Sequence, residues 1–160
     1  MTPQELCHAI LQDCEPASLL VCGNHASAAG RRWQQEHTDC IYRELPAETR
    51  LLEQEYAAPH DMALLEGVLD HCEAEAGSLL LGQLRNYGNH QIAAIIRNDS
   101  ALTFQDFIAL GFVRQTTIEP APDHPGYTLY TYNIDTYNHK RTWNNPQYWA
   151  NPQMWGKAWW

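Results

Sequence analysis

The chain lacks most of the short patterns that announce a chemistry. No GxSxG, P-loop or HExxH pattern occurs in its 160 residues, which leaves hydrolysis at a nucleophile elbow, phosphate cleavage by a Walker loop and zinc-protease chemistry without support. The five cysteines (Cys7, Cys14, Cys22, Cys40 and Cys72) are odd in number and form no CxxC pair. A structural zinc site is therefore not expected, and the cysteines beside apolar runs read as reduced thiols acting as small hydrophobes. The eight histidines are dispersed, with no two spaced to share a helical face as metal ligands.

Basic residues are also scarce, 10 against 19 acids, for a formal charge of −9. Residues 133–160 carry Lys140, Arg141 and Lys157 against Asp135, so the rest of the chain sums to about −11. A body of that sign repels a phosphate backbone at long range and argues against general nucleic-acid binding. A small nucleoside-type ligand stays open, because local backbone donors can outweigh net charge. The start, Met1-Thr2-Pro3-Gln4-Glu5, has no basic stretch followed by an apolar one, so neither a secretory signal nor a membrane segment is expected and the chain reads as cytoplasmic.

What the sequence does have is apolar runs in the right order. With 44% hydrophobic residues it suits one globular domain with a full core. Residues 3–13 read as a leading helix. Ser18-Leu19-Leu20-Val21-Cys22-Gly23 reads as a strand buried on both faces and stopped by glycine. Residues 24–36 follow as a helix and residues 39–45 as a second strand, a unit of the right length for a parallel crossover. A charged helix is expected over 47–56. A third strand follows over 62–65, then a long helix over 68–87 with Leu79 facing inward and Gly77 interrupting it, and a fourth strand over 91–96. A short helix over 103–110 ends at Gly111. Residues 112–119 and 127–134, joined by a loop with three prolines, read as an antiparallel hairpin, with Thr128, Tyr130, Tyr132 and Ile134 on one face. The fold expected is α/β: a three-layer αβα sandwich, Rossmann-like, with a mostly parallel sheet of about six strands closed by the hairpin.

Residues 1–134 are expected to form that domain, and residues 135–160 a Trp/Asn/Pro-rich tail. Residues 133–160 hold five of the six tryptophans and a repeat, Asn145-Pro146-Gln147-Tyr148-Trp149-Ala150 followed by Asn151-Pro152-Gln153-Met154-Trp155-Gly156. Each unit suits an N-cap followed by proline at the first helical position. The segment is too aromatic for a solvated linker and too broken by proline for a membrane span. It is expected to pack on its own domain, the alternative being a docking surface for a protein partner, a second copy or stacked bases.

The order of elements resembles class I S-adenosylmethionine-dependent methyltransferases over residues 18–134. The stretch Asp61-Met62-Ala63-Leu64-Leu65-Glu66-Gly67-Val68-Leu69-Asp70-His71 is similar to that family's fourth strand and the start of the next helix, and Gly111-Phe112 matches the approach to its hairpin. The tail resembles an uncharacterised bacterial family. The methyltransferase resemblance implies S-adenosylmethionine or a related nucleoside at the carboxyl edge of the sheet. It places Gly23, Asn24 and His25 in the cofactor loop, Glu44 at the ribose, Glu66 as a polar contact after the third strand, and His71 at the pocket wall. The loop departs from the family in having no second glycine before Gly30. The short span between the second and third strands implies a missing edge strand. Two other readings stay open: a non-catalytic interaction module with a degenerate cofactor site and an aromatic docking tail, and a GNAT-type N-acetyltransferase, for which Gln83-Leu84-Arg85-Asn86-Tyr87-Gly88 would supply the pyrophosphate loop.

Overall fold

The computed structural model describes residues 1–47 and 58–137. Helix α1 (Pro3–Cys14) opens with a capping box in which Thr2 and Glu5 exchange side-chain and backbone bonds. Then come β1 (Ser18–Cys22), α2 (Asn24–Glu36), β2 (Ile41–Leu45), β3 (Met62–Glu66), α3 (Ala74–Asn86), β4 (Gln91–Arg97), α4 (Phe104–Ala109), β5 (Val113–Ile118), β6 (Tyr127–Asn133) and the single turn α5 (Ile134–Tyr137). The expected helix over 47–56 and the tail beyond 137 lie outside the described residues.

The six strands form one sheet in the order β2-β1-β3-β4-β6-β5. β1 pairs in parallel with both β2 and β3, and β3 in parallel with β4. β6 runs antiparallel between β4 and β5, so β1 is an interior strand and the chain closes with the expected hairpin. Among the described residues β2 and β5 are the sheet margins. The β5–β6 ladder slips between Arg114 and Thr116, which leaves Gln115 as a bulge.

The near-continuous apolar runs follow from burial on both faces. Leu20, Cys22, Ala63, Leu65, Ile92, Ala94 and Ile96 point to one core under α3 and α4. The alternate residues Leu19, Val21, Met62, Leu64, Ala93 and Ile95 point to the other, with α1 and α2. In the hairpin Tyr130 and Tyr132 join the first core as the alternation requires, and Phe107 of α4 stacks on Tyr130 at 3.9 Å.

Four expectations fail. The helix after β3 does not begin at Val68. Gly67 takes a φ of +79°, Asp70 N–H bonds to its carbonyl, and Asp70 Oδ1 accepts the Arg97 amide at 2.8 Å. Val68, Leu69 and Cys72 thus reach the core from turns, and α3 starts only at Ala74. Gly77 does not interrupt α3; a Cβ there would meet Leu102 Cδ1 at 2.5 Å, so the glycine serves close packing. Leu79 faces outward, 52% exposed, and Ile134 has left the sheet to begin α5. No helix among the described residues is long and apolar enough to cross a membrane.

Candidate cofactor cleft at the carboxyl edge of the sheet

The parallel strands all end on one edge, and the crossover after β1 starts there. β1 stops because Gly23 turns the chain with a φ of +113°, a conformation closed to other residues. A Cβ at Gly23 would sit 1.7 Å from the backbone oxygen of Glu66. The first constraint on this glycine is therefore the neighbouring strand. α2 begins at once with Asn24, without a side-chain cap from Gly23. The missing cap comes from β3: Glu66 Oε2 accepts the backbone N–H of His25 at 3.0 Å, a carboxylate at a helix N-terminus, where its charge is favoured.

Asn24, Ser27 and Arg31 lie at i, i+3 and i+7 on α2, one face of the helix. Arg31 grips Glu44 of β2 with both arms, at 2.7 Å from Nη2 to Oε1 and 3.2 Å from Nε to Oε2. Tyr42 Oη donates to Glu44 Oε2 at 2.8 Å. Burial would raise the Glu44 carboxyl, but the Arg31 guanidinium and the Tyr42 hydroxyl outweigh it and hold the group below the usual carboxylate range. Burial, with the Glu44 bond behind it, pushes the Tyr42 phenol up to about 12. Glu44 is thus an oriented, ionised acceptor. Oε2 receives bonds from Arg31 and Tyr42 and Oε1 from Arg31, the Ser27 hydroxyl also helps hold the carboxylate ionised, and a carboxylate with about four acceptor positions can take a further donor.

Gly23, Asn24, Ser27, Glu44, Leu45, Pro46 and Ala47 line a cleft of about 350 Å³, near the small end of the range of roughly 300–1,000 Å³ for small-molecule sites. Three of the six sequence-assigned residues, Gly23, Asn24 and Glu44, meet there. His25 presents its backbone to Glu66 while its side chain is exposed. His71 stands exposed in the turn before α3; it is not one of the cleft's lining residues. Sequence reading missed Arg31 and Tyr42, although the stripe through residues 24, 27 and 31 was a usable signal for the first. It also missed Asp70, a half-buried carboxyl that burial pushes up. No group of three or more His, Cys, Asp or Glu able to hold a metal occurs among the described residues.

A model described as "Family of unknown function (DUF6231)" matches residues 1–160. The chain belongs to that family. No protein of curated function matches it. Among solved structures it is similar to the magnesium protoporphyrin IX methyltransferase of Synechocystis PCC 6803 with bound S-adenosylmethionine, at 11% identity and a TM-score of 0.53 over 80% of this chain and 77% of that one. It is similar to the N-terminal domain of EvdMO1 with S-adenosylhomocysteine and D-fucose, at 11% identity and 0.53 over 82% of each chain. A third likeness is to the 1,6-didemethyltoxoflavin-N1-methyltransferase of Burkholderia thailandensis with bound 1,6-didemethyltoxoflavin and S-adenosylhomocysteine, at 14% identity and a TM-score of 0.51 over 80% of this chain and 76% of that one. Together with the strand order these establish a class I methyltransferase-like, Rossmann-like fold. The acetyltransferase reading falls: Gln83, Leu84, Arg85 and Asn86 are inside α3, so their amides are not arranged as a pyrophosphate loop.

Proposed function

We propose that the cleft between α2 and the end of β2 binds S-adenosylmethionine or a related nucleoside. The observation that carries this reading is Glu44, an ionised acceptor fixed by Arg31 and Tyr42 at the rim of a cleft on the carboxyl edge of the sheet, where open α/β sheets take their ligands. Its Oε1 suits a ribose hydroxyl, Asn24 adds donors and acceptors beside it, and Leu45 and Pro46 offer apolar wall for a base. The fit is good at the nucleoside end. At the other end the His25 amide, which a ligand carboxylate would otherwise take, is given to Glu66. Glu66 would then face the cationic end of the ligand. When bound, the cofactor would supply an activated methyl group. The chain's own part would be alignment and exclusion of water, which can supply much of such a rate enhancement.

The Glu66–His25 bond favours a second reading, an interaction module that kept the fold and filled part of the site with its own side chain. Thermal unfolding with S-adenosylmethionine and S-adenosylhomocysteine separates the two. A ligand at a hundred times its dissociation constant adds about 2.7 kcal/mol, a rise in Tm of about 5–11 °C at this chain length. Glu44→Ala should abolish the rise. No rise with either ligand at millimolar concentration removes the cofactor reading and leaves the module.

A further inference from the structure

The sheet is covered unevenly. On one face α3 and α4 complete the core, with Phe107 stacked on Tyr130. On the other face α1 and α2 complete a core centred on β1 and β3. Beyond α1, the single turn α5, through Thr136, is the only other described helix on the same face of β6 and β5. A groove of about 740 Å³ is left there, walled by Ala9 and Ile10 of α1 and Val113 of β5, and floored by Ala93, Leu129 and Thr131. Val113 is 56% exposed and Ile108, at the groove's end, 45%. A long trough of this apolar character on a three-layer fold calls for a cover.

The chain itself arrives at this place. β6 ends at Asn133 and α5 ends at Tyr137, and Asn133 and Thr136 are both groove residues, so the described chain ends beside the groove. Twenty-three residues follow, 138–160, with an extended reach of roughly 75 Å. They hold five tryptophans, a tyrosine and a methionine, and their charged residues are Lys140, Arg141 and Lys157 without a single acid. The body they join is strongly acidic, and Asp13 stands on the groove wall. The family match also runs through residue 160, so domain and tail match as one unit.

We propose that residues 138–160 dock in this groove of the same chain and supply the missing part of the outer layer, with indole rings set against Ala93, Leu129 and Val113. The repeat starting at Asn145 and Asn151 places two of the tryptophans six residues apart, two short turns that can follow a trough where one unbroken helix could not. The groove lies at the end of the sheet opposite the cofactor cleft, so this proposal does not depend on the function proposed for that cleft.

The test uses the full-length protein. Cys14 lines the groove and is the half-exposed one of five free cysteines, the other four being buried, so a nitroxide label can be placed there. Nitrogen-15 spectra then report on the six indole N–H signals, with Trp33 assigned by substitution. Docking in the same chain predicts that at least two tail indoles lose most of their intensity and recover it when the label is reduced. A one-to-one mixture of unlabelled nitrogen-15 protein with spin-labelled natural-abundance protein should show no such loss. Equal loss in the mixture overturns the proposal in favour of exchange with a second copy, and no loss in either sample places the tail elsewhere. As an independent check, Val113→Asp on exposed β5 should speed tryptic cleavage after Lys140 and Arg141 at least several-fold while the domain's own circular dichroism is kept. An unchanged cleavage rate in that variant contradicts the proposal.

Discussion

Gly23→Ala gives the most direct test of how the carboxyl edge is built. The residue has a φ of +113° and a ψ of 158°, a region that is essentially glycine-only and costs another residue about 1–3 kcal/mol. The added methyl would also stand 1.7 Å from the Glu66 carbonyl oxygen and 2.7 Å from its carbon. Both are backbone atoms of an interior strand and cannot rotate away, so overpacking adds about 1–3 kcal/mol. The sum, about 2–6 kcal/mol, is a large part of the 5–15 kcal/mol typical of a domain. It corresponds to a fall in Tm of about 4–24 °C. Gly82→Ala is the control of opposite sign. Gly82 lies inside α3 with no atom within 4 Å of a built Cβ, so alanine there should gain about 0.5–1 kcal/mol. Urea unfolding of both variants against the parent measures the pair. A Gly23→Ala protein within 0.5 kcal/mol of the parent would refute the claim that β3 enforces glycine at this turn.

Three further outcomes follow from the same geometry. Burial raises the Asp70 carboxyl above the ordinary aspartate value of 3.8, so its contribution to stability is complete below that pH and is lost as pH rises through the folded value. Asp70→Asn should therefore compare better with the parent at pH 7 than at pH 4 in urea midpoints, and an equal difference at both values contradicts this. Thr103→Ala removes the capping box of α4, in which Thr103 and Asp106 exchange bonds, and should cost about 1 kcal/mol; a neutral result would mean that α4 is held by Phe107 packing alone. Burial pushes the Cys7 thiol up to about 12 and raises Cys14 and Cys40 as well. Native protein should react slowly with a disulfide reagent at pH 8, with Cys14 first, and rapid reaction at Cys7 would show that α1 opens readily.

The fold was legible wherever burial repeats along the chain. Leu19–Cys22, Met62–Leu65 and Ile92–Ile96 are apolar without a break because each alternate residue meets a different core, and the proline-rich loop before Gly126 marks the hairpin. The helix after β3 was misread because Val68, Leu69 and Cys72 have helical spacing although they sit in turns. What ends the regularity is Gly67 together with the Asp70–Arg97 contact, the second of which joins residues 27 positions apart and leaves no local trace. At the candidate site Glu44 and Gly23 could be assigned from their places at strand ends. The role of Glu66 as a cap for α2 could not, since it depends on a strand 41 positions away lying beside the turn. Arg31 was readable in principle from its spacing to Asn24, but its target on β2 is fixed only once the crossover closes.

The slip at Gln115 governs how this molecule meets others of its kind. A sheet's outermost strand offers a row of backbone donors and acceptors that an intruding strand can match. Here the row is broken midway: one residue too many between Arg114 and Thr116 bends β5 and steepens its twist. A straight newcomer could satisfy only a few bonds on one side of the kink before losing step. The bend thereby discourages edge-to-edge stacking into ribbons.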